Sequence, residues 1–474
     1  MKVSAQAADM IKKHVGKDGS IQVLSHLDAD GLAAAGVMGT ALARLDGKFR
    51  IRIGRWLDER IIESLVADKL ALVILCDLGS GDINLLNSKL KDRKLVILDH
   101  HQPVGEADHN FVHVNPHVFG IDGSKDLSSA GIAYFVAKAI DQANMDLAAV
   151  AVVGALGDLQ DKYEQRRLNG PNALILKDAE SKEYLKTETD LMFFGRETRP
   201  IHKALACTTT PFIAGLSGEE DRSLAFLASL GITPKKGEKW RALRDLSEEE
   251  KKKLFNALAD YMMSHGSSSN IALSLRGNVY TLTHEEPWTP LRDAREFSVL
   301  LNATGRMDRP SLGIAICMGD RNVALEEANS VLEDYRRTIM MYLNWLMEPN
   351  MNRIEELDNI YIVRGEGVID DKIIGAISSI LSTNLAKPEK PIIAYSTVPK
   401  ENLAKVSARA IEVIVKQGLN LGGVLRAAAE KCSGKGGGHN IAAGAQVPIT
   451  ELDSFIKMVN ELVGEQLGTS KPGS

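Results

Sequence analysis

The chain has 474 residues, a formal net charge of −5 at pH 7, and 44% hydrophobic against 25% charged residues. That length exceeds what one hydrophobic core organises and predicts two to four domains of a globular protein. The acidic balance argues against a general nucleic-acid coat, which binds by neutralising phosphates. No apolar run reaches the ~20 residues needed to span a bilayer, and the N-terminus lacks the apolar core of a secretory signal, so a cytoplasmic protein without a membrane partner is expected. The four cysteines, Cys76, Cys207, Cys317 and Cys432, show no C-x-x-C spacing and read as buried thiols rather than a zinc site.

In chain order, the first ~160 residues alternate short aliphatic runs with helical stretches: IQVL (21–24), DGLAAAGVMGTALARL, ALVILCD (71–77) and KLVILDH (94–100). Continuous apolar runs of this length between helices predict a parallel sheet covered on both faces, with ligands collected at the carboxyl ends of its strands. The stretch 165–205 reads as helical and charged. Residues 206–290 differ in character and read as an inserted α+β segment, with a helix in LSEEEKKKLFNALADYMM, a Ser-rich turn at 267–269 and strands in IALSLRG and VYTLT. From EFSVLLN (296–302) one long helical stretch is predicted to about Trp345, within a connecting segment at 291–350. The last domain, 351–468, returns to α/β patterning with strands in IYIVRG and PIIAYST and a loop in GKGGGHNIAAG, and TSKPGS reads as a frayed tail.

The chemistry stands at the strand ends. One such carboxylate would be an ordinary cap; here several converge. Asp28 and Asp30 in HLDADG are two apart, so an extended turn points both to one side, and Gly31 permits a tight entry into the next helix. Asp77 ends a strand as a candidate bridging ligand, Asp99 and His100 add oxygen and nitrogen donors, and Asp158 in GALGD closes the set. Carboxylates mixed with imidazole favour manganese or another transition ion, so manganese is expected, with magnesium as the alternative. Two such ions activate a hydroxide and stabilise the leaving oxygen in an in-line displacement, without a covalent nucleophile.

At these residues the sequence resembles the DHH phosphoesterases, named for the triplet Asp99-His100-His101. SHLDADG, LCD, LDHH and GALGD appear in the family's order, with VNP (114–116) and SSAGIAY (128–134) between the last two. RETRPIHKAL (196–205), LLNATGRM (300–307) and GGGHNIAAG (436–444) make the resemblance most specific to RecJ-like exonucleases of the archaeal, GINS-associated branch.

The resemblance implies an N-terminal DHH domain (1–205), a smaller C-terminal DHHA1 domain, and two metals held by Asp28, Asp30, Asp77, His100 and Asp158. His101 then faces the substrate phosphate, and Asp99 either ligates or orients His100. His26 either ligates or flanks the site, because the family's upstream histidine position holds Leu24 here. Asp161 reads as a supporting or surface residue. In the DHHA1 domain, Ser407, Arg409, Gly436, Gly437, Gly438 and His439 are implied phosphate contacts, the glycines by opening backbone amides to an anion. Arg306 is either a phosphate contact or a structural salt bridge. His113 and His117, beside VNP, read as surface or packing residues rather than a third metal site. The expected activity is a metal-dependent exonuclease on single-stranded nucleic acid, DNA before RNA and 5′ to 3′ by resemblance, serving DNA replication or repair, with two Mn2+ ions and GINS as a partner. The alternatives are an oligonucleotide or cyclic-dinucleotide phosphodiesterase, a 3′ to 5′ RNA exonuclease, or a replisome scaffold. The inserted segment 206–290 is the expected docking surface for the partner, and its apolar stripe Leu254, Leu258, Tyr261 and Met262 serves either its own domain or that partner.

Overall fold

A computed structural model describes residues 2–468 apart from 58, 69–71, 162, 209–210, 212, 268, 349–350, 366 and 385–389. The tail 469–474 and part of the Ser-rich turn therefore lie outside the described residues. The chain divides into two units, Met1–Leu332 and Glu333–Ser474.

The aliphatic runs of the first unit become a parallel sheet. Its strands are β1 (Ser20–Ser25), β2 (Lys48–Ile53), β3 (Leu72–Cys76), β4 (Leu95–Leu98) and β5 (Phe111–Val114), ordered β2-β1-β3-β4-β5. β3 and β4 are buried throughout, which is why LVILC and LVIL carry no polar alternation. The edge strands escape that pattern: β2, KFRIRI, alternates exposed and half-buried positions, and β5 has only four residues. From β1 the chain steps outward to β2, then returns past β1 to β3. The strand order therefore reverses between β1 and β3, where loops leaving the two carboxyl ends diverge and open a crevice.

The helices that accompany this sheet in the chain up to residue 181 are α1 (Lys2–Val15), α2 (Ala29–Arg44), α3 (Glu59–Ala67), α4 (Ile83–Leu90), α5 (Ser129–Ile140), α6 (Ala148–Gly157) and α7 (Gly170–Ser181). α6, AAVAVVGALG, is apolar on every side, as a helix enclosed by protein must be. Small residues set how closely it packs: a Cβ at Gly154 would come within 2.4 Å of the Ala130 Cβ and 2.8 Å of Asp30 Oδ1.

The stretch 165–205 is not helical throughout. After α7, Leu185–Leu191 is a strand paired antiparallel with Arg276–Leu282, its T-E-T-D alternation having the look of a polar helix face. Of the two expected strands in the insert, VYTLT lies on Arg276–Leu282, but IALSLRG begins as the short helix Ser269–Leu273. The core of the insert runs from Leu191 to Leu275, against the expected 206–290. Its main helix, Glu248–Ser264, starts at a capping box in which Ser247 Oγ accepts from Glu250 N and the Glu250 carboxylate accepts from Ser247 N. Leu254, Leu258 and Met262 are buried in that core, and Tyr261 donates its hydroxyl to Ala214 O. The stripe thus packs against its own domain.

The long helix expected from 296 to 345 is three: Ala294–Arg306, Pro310–Cys317 and Val323–Leu346. Asp308 at φ 60° with Pro310 breaks the first junction, and Gly319 at φ 108° the second.

The second unit holds a six-stranded sheet ordered Ile354–Glu356, Tyr361–Arg364, Ile392–Val398, Leu403–Arg409, Ala442–Pro448, Lys435–Gly438. Helices Leu421–Lys431 and Leu452–Leu467 contribute to its core. GKGGGHNIAAG is a hairpin rather than a loop, since Gly436, Gly437 and Gly438 pair with Ala445, Gly444 and Ala443.

Candidate metal centre

Both aspartates of HLDADG are placed by the start of α2, not by an extended turn. Asp28 is the N-cap and accepts from Gly31 N at 3.0 Å, while Asp30 lies inside the first turn. A Cβ at Gly31 would sit 2.4 Å from His26 O, so only glycine allows this tight entry. The two carboxylates consequently face different partners. Asp28 meets His26 Nδ1 at 3.0 Å, whereas Asp30 accepts from Ser129 N and Ala130 N, at 2.7 and 3.0 Å, at the N-terminus of α5. SSAGIAY therefore supplies the amides that hold Asp30, and Ser129 Oγ adds a bond to Asp77 Oδ1.

Asp77 closes β3 in the left-handed region, at φ 59°, a conformation aspartate tolerates better than most residues. Its buried carboxylate lies 3.4 Å from His26 Nδ1, 3.3 Å from His100 Nε2 and 3.8 Å from His101 Nδ1. Among the described residues of this unit, three groups of potential ligand atoms, each within 4.8 Å, are thereby formed: His26–Asp28–Asp77, Asp30–Asp77–His100 and Asp77–Asp99–His101. Asp77 is common to all three.

Asp99 does not orient His100. Its Oδ1 accepts from His101 Nδ1 at 2.8 Å and from the His101 amide, and its Oδ2 accepts from Ser80 N. His100 instead uses Nδ1 on Gly123 O at 2.6 Å, with Nε2 toward Asp77 and Asp30. Asp158, at the C-cap of α6, lies 3.7 Å from Nδ1 of His100 and belongs to none of the three groups. Asp161 is not a helix-surface residue; it is buried and ion-paired with Arg295 at 2.5 Å. His113 bonds Ser80 Oγ and burial pushes its pKa down, in keeping with a packing role.

The charges in the crevice are out of balance. Burial works against a charge on His26, yet Asp28 and Asp77 raise it to about 10. Burial, Asp77, Asp158 and Asp28 together push the Asp30 carboxyl up to about 8, so near neutral pH it holds a proton unless a cation takes its place. Asp28 is held low against burial by His26, the Gly31 amide and Arg306. A donor set of buried carboxylates and imidazoles with surplus negative charge fits divalent cations.

Arg306 sits at the end of helix Ala294–Arg306, which braces the HLDADG loop. Asn302 Oδ1 accepts from Ala29 N, and a Cβ at Gly305 would overlap Leu27 O. NATGRM is thus a buttress of the centre, a role that spacing alone does not reveal.

In the second unit Ser407 and Arg409 come together with two serines that no sequence motif singles out. Arg409 Nε donates to Ser379 Oγ at 2.8 Å and Nη1 to Ser407 Oγ at 3.1 Å, and Ser407 meets Ser378 Oγ at 3.0 Å. Packing explains two of the three glycines. A Cβ at Gly436 would come 2.5 Å from Leu425 O, and Gly438 turns at φ 132°. Lys435–Gly438 is nevertheless an edge strand, whose outward amides remain for an anion. His439 follows it, its amide bonded to Ala442 O.

Family models match in the same order as these units. The DHH family N-terminal domain matches residues 20–156, the DHH-CID domain 193–274 and the DHHA1 domain 359–465. An uncharacterised protein of Methanocaldococcus jannaschii is 32% identical over 472 residues, 98% of each chain. The chain belongs to the DHH family. Among solved structures, CDC45 from Entamoeba histolytica is similar with a TM-score of 0.65 at 11% identity, over 98% of this chain and 99% of that one. RecJ in complex with Mn2+ from Thermus thermophilus is similar with a TM-score of 0.60 at 15% identity, over 98% of this DHH chain but 55% of the RecJ chain. At such identities the likeness is one of fold, and the DHH fold here is RecJ-like.

Proposed function

We propose that this chain is a metal-dependent exonuclease that hydrolyses phosphodiester bonds of single-stranded nucleic acid. The observation that carries the reading is Asp77, buried at the switch point of the sheet and shared by three His/Asp groups. A RecJ fold has been solved with Mn2+ and with Mg2+, which supports divalent ions here. In this reading Asp28, Asp30, Asp77, His100 and Asp158 would hold two ions, Asp77 being the donor common to the three groups, and His26 would join Asp28. Two ions of this kind polarise the phosphoryl group, supply a hydroxide near neutral pH and stabilise the leaving oxygen. Mn2+ suits the mixed nitrogen and oxygen donors.

The chain's own residues prepare the rest. Asp99, itself fixed by Ser80 N, holds His101, 40% exposed at its side chain, in one orientation for contact with a phosphate oxygen. Ser407, Arg409, His439 and the edge strand of Gly436, Gly437 and Gly438, through those of its amides that face away from the sheet, bind further phosphates, while Arg306 adds to His26 in keeping Asp28 ionised.

The test is digestion of end-labelled single-stranded DNA and RNA with Mn2+ or Mg2+. A ladder of mononucleotides from the 5′ end of DNA is expected. Cleavage confined to dinucleotides or cyclic dinucleotides, or to RNA from its 3′ end, would replace the substrate class with one of the rival phosphodiesterase readings. Arg409→Ala and His439→Ala should each weaken strand binding without changing metal content, and each lost phosphate contact should lower the slope of log affinity against log salt by about 0.7. Unchanged affinity in both would remove the DHHA1 domain from substrate binding.

The likeness to CDC45 over nearly its whole length supports a second role in a replication assembly, with GINS as the partner implied by the sequence resemblance. The buried Leu254 stripe is not the docking face for it. Co-purification of the intact chain with GINS tests that role, and absence of a complex at micromolar concentrations would end it.

A further inference from the structure

Gln160 is given no role by its motif, GALGDLQD, yet it has no exposed surface and every polar atom of its side chain is engaged. Nε2 donates to Asp158 Oδ2 and to Gly123 O, both at 2.9 Å. Gly123 O is the same atom that receives His100 Nδ1 at 2.6 Å. On the far side, Oε1 accepts from Asn172 Nδ2 at 2.6 Å, and the Asn172 amide is fixed on Asp126 O. One side-chain amide therefore ties together two residues that come from different elements, the carboxylate at the end of α6 and the imidazole at the end of β4.

We propose that Gln160 is a positioning residue that latches His100 and Asp158 in the geometry a divalent cation requires. This rests on the metal-centre reading above. The physical argument concerns which nitrogen of His100 is available. A ring nitrogen can bind a cation only through a free lone pair, and the hydrogen bond at the other nitrogen decides which one is free. Gly123 O is an acceptor, so it places the proton on Nδ1 and leaves Nε2, the atom facing Asp77 and Asp30, as the donor. Gln160 holds that carbonyl in position and, through its second N–H, keeps Asp158 turned toward the same side chain. A carboxylate or an apolar chain at 160 cannot donate either bond. Gly123 itself admits no substitute, because a Cβ there would overlap His100 O, so the carbonyl is set from both sides. The backbone after Asp158 supports the arrangement: Leu159 is at φ 54°, and this turn brings Gln160 N back onto Ala155 O.

The test is Mn2+ binding to the full chain, followed by the electron-spin signal of free Mn2+, for the wild type, Gln160→Glu and Gln160→Met. The glutamate keeps the volume and the Asn172 contact, so it should stay folded even where the methionine does not. Partners of this kind affect metal affinity by about 10- to 100-fold, and a loss in that range is expected for Gln160→Glu, read on protein whose metal-free unfolding transition shows it to be folded. Equal Mn2+ affinity in wild type and folded Gln160→Glu overturns the latch and leaves the metal centre standing. No binding by the wild type itself overturns both. A measurement on the unaltered chain is independent of any variant: 15N spectra of histidine-labelled protein loaded with Mg2+ should show His100 protonated at Nδ1, and a proton at Nε2 instead would refute the proposal.

Discussion

Replacing Asp77 with asparagine is expected to lower strand hydrolysis by roughly 10³-fold or more without unfolding the chain. Among the described residues Asp77 is the one whose oxygens lie near His26, His100 and His101 at once, so its loss removes charge from every group of the centre. Asparagine is the informative choice because it tolerates the left-handed backbone at φ 59° and keeps an oxygen for Ser129 Oγ, whereas alanine adds about 1–2 kcal/mol of backbone strain to the effect. Two readouts separate chemistry from stability. Without metal the variant loses both the repulsion with Asp30 and the attraction to His26 and His100, so its metal-free unfolding midpoint is the baseline for the second readout. With Mn2+ at a hundred times its dissociation constant the wild type should gain about 2.7 kcal/mol, and the variant should gain little. Wild-type rates in Asp77→Asn would contradict the two-ion assignment.

The second large effect lies away from the centre. Arg196, 5% exposed at its side chain, pairs with Asp190 at 3.0 Å, Glu197 at 3.1 Å and Asp293 at 3.4 Å. Lys251 shares Asp190, and Arg244 shares Glu197. Arg196→Met keeps the volume but strands three buried carboxylates short of one partner each, and about 3–5 kcal/mol of stability should be lost. The exposed pair Arg337–Asp334 is the control: Arg337→Met should change stability by less than about 1 kcal/mol. Urea unfolding of both variants checks this, and a similar small change in each would show that the network contributes little.

What was legible in the sequence followed from physical uniformity. β3 and β4 are buried on both faces, so their apolar runs announced them, and the acids at their ends could be read as a site. Edge strands face two environments and carry mixed sequences, which is why β2 and Leu185–Leu191 went unseen. A break between helices depends on one residue, such as Asp308, while periodicity is an average that smooths over it. Within the centre, residue types gave the donors, but their pairing depended on directions in space. Asp99 belonging to His101, and His100 to Gly123 O, are matters of which way a ring turns. Ser129 and Gln160 were invisible for a related reason, since a buried serine or glutamine is chemically unremarkable until its neighbours are known.

The helix Ala294–Arg306 has a consequence for how the molecule responds to load. Its first turn is fastened to the residues that open the DHH-CID segment: Asp293 meets Arg196, and Glu296 receives the Glu197 amide and the Thr198 hydroxyl. Its last turn bears on Leu27 and Ala29, beside Asp28 and Asp30. A rod clamped at both ends transmits displacement, so a torque applied to the insert by anything bound there arrives at the carboxylates of the centre. An insertion in sequence is, in mechanical terms, a handle on the HLDADG loop.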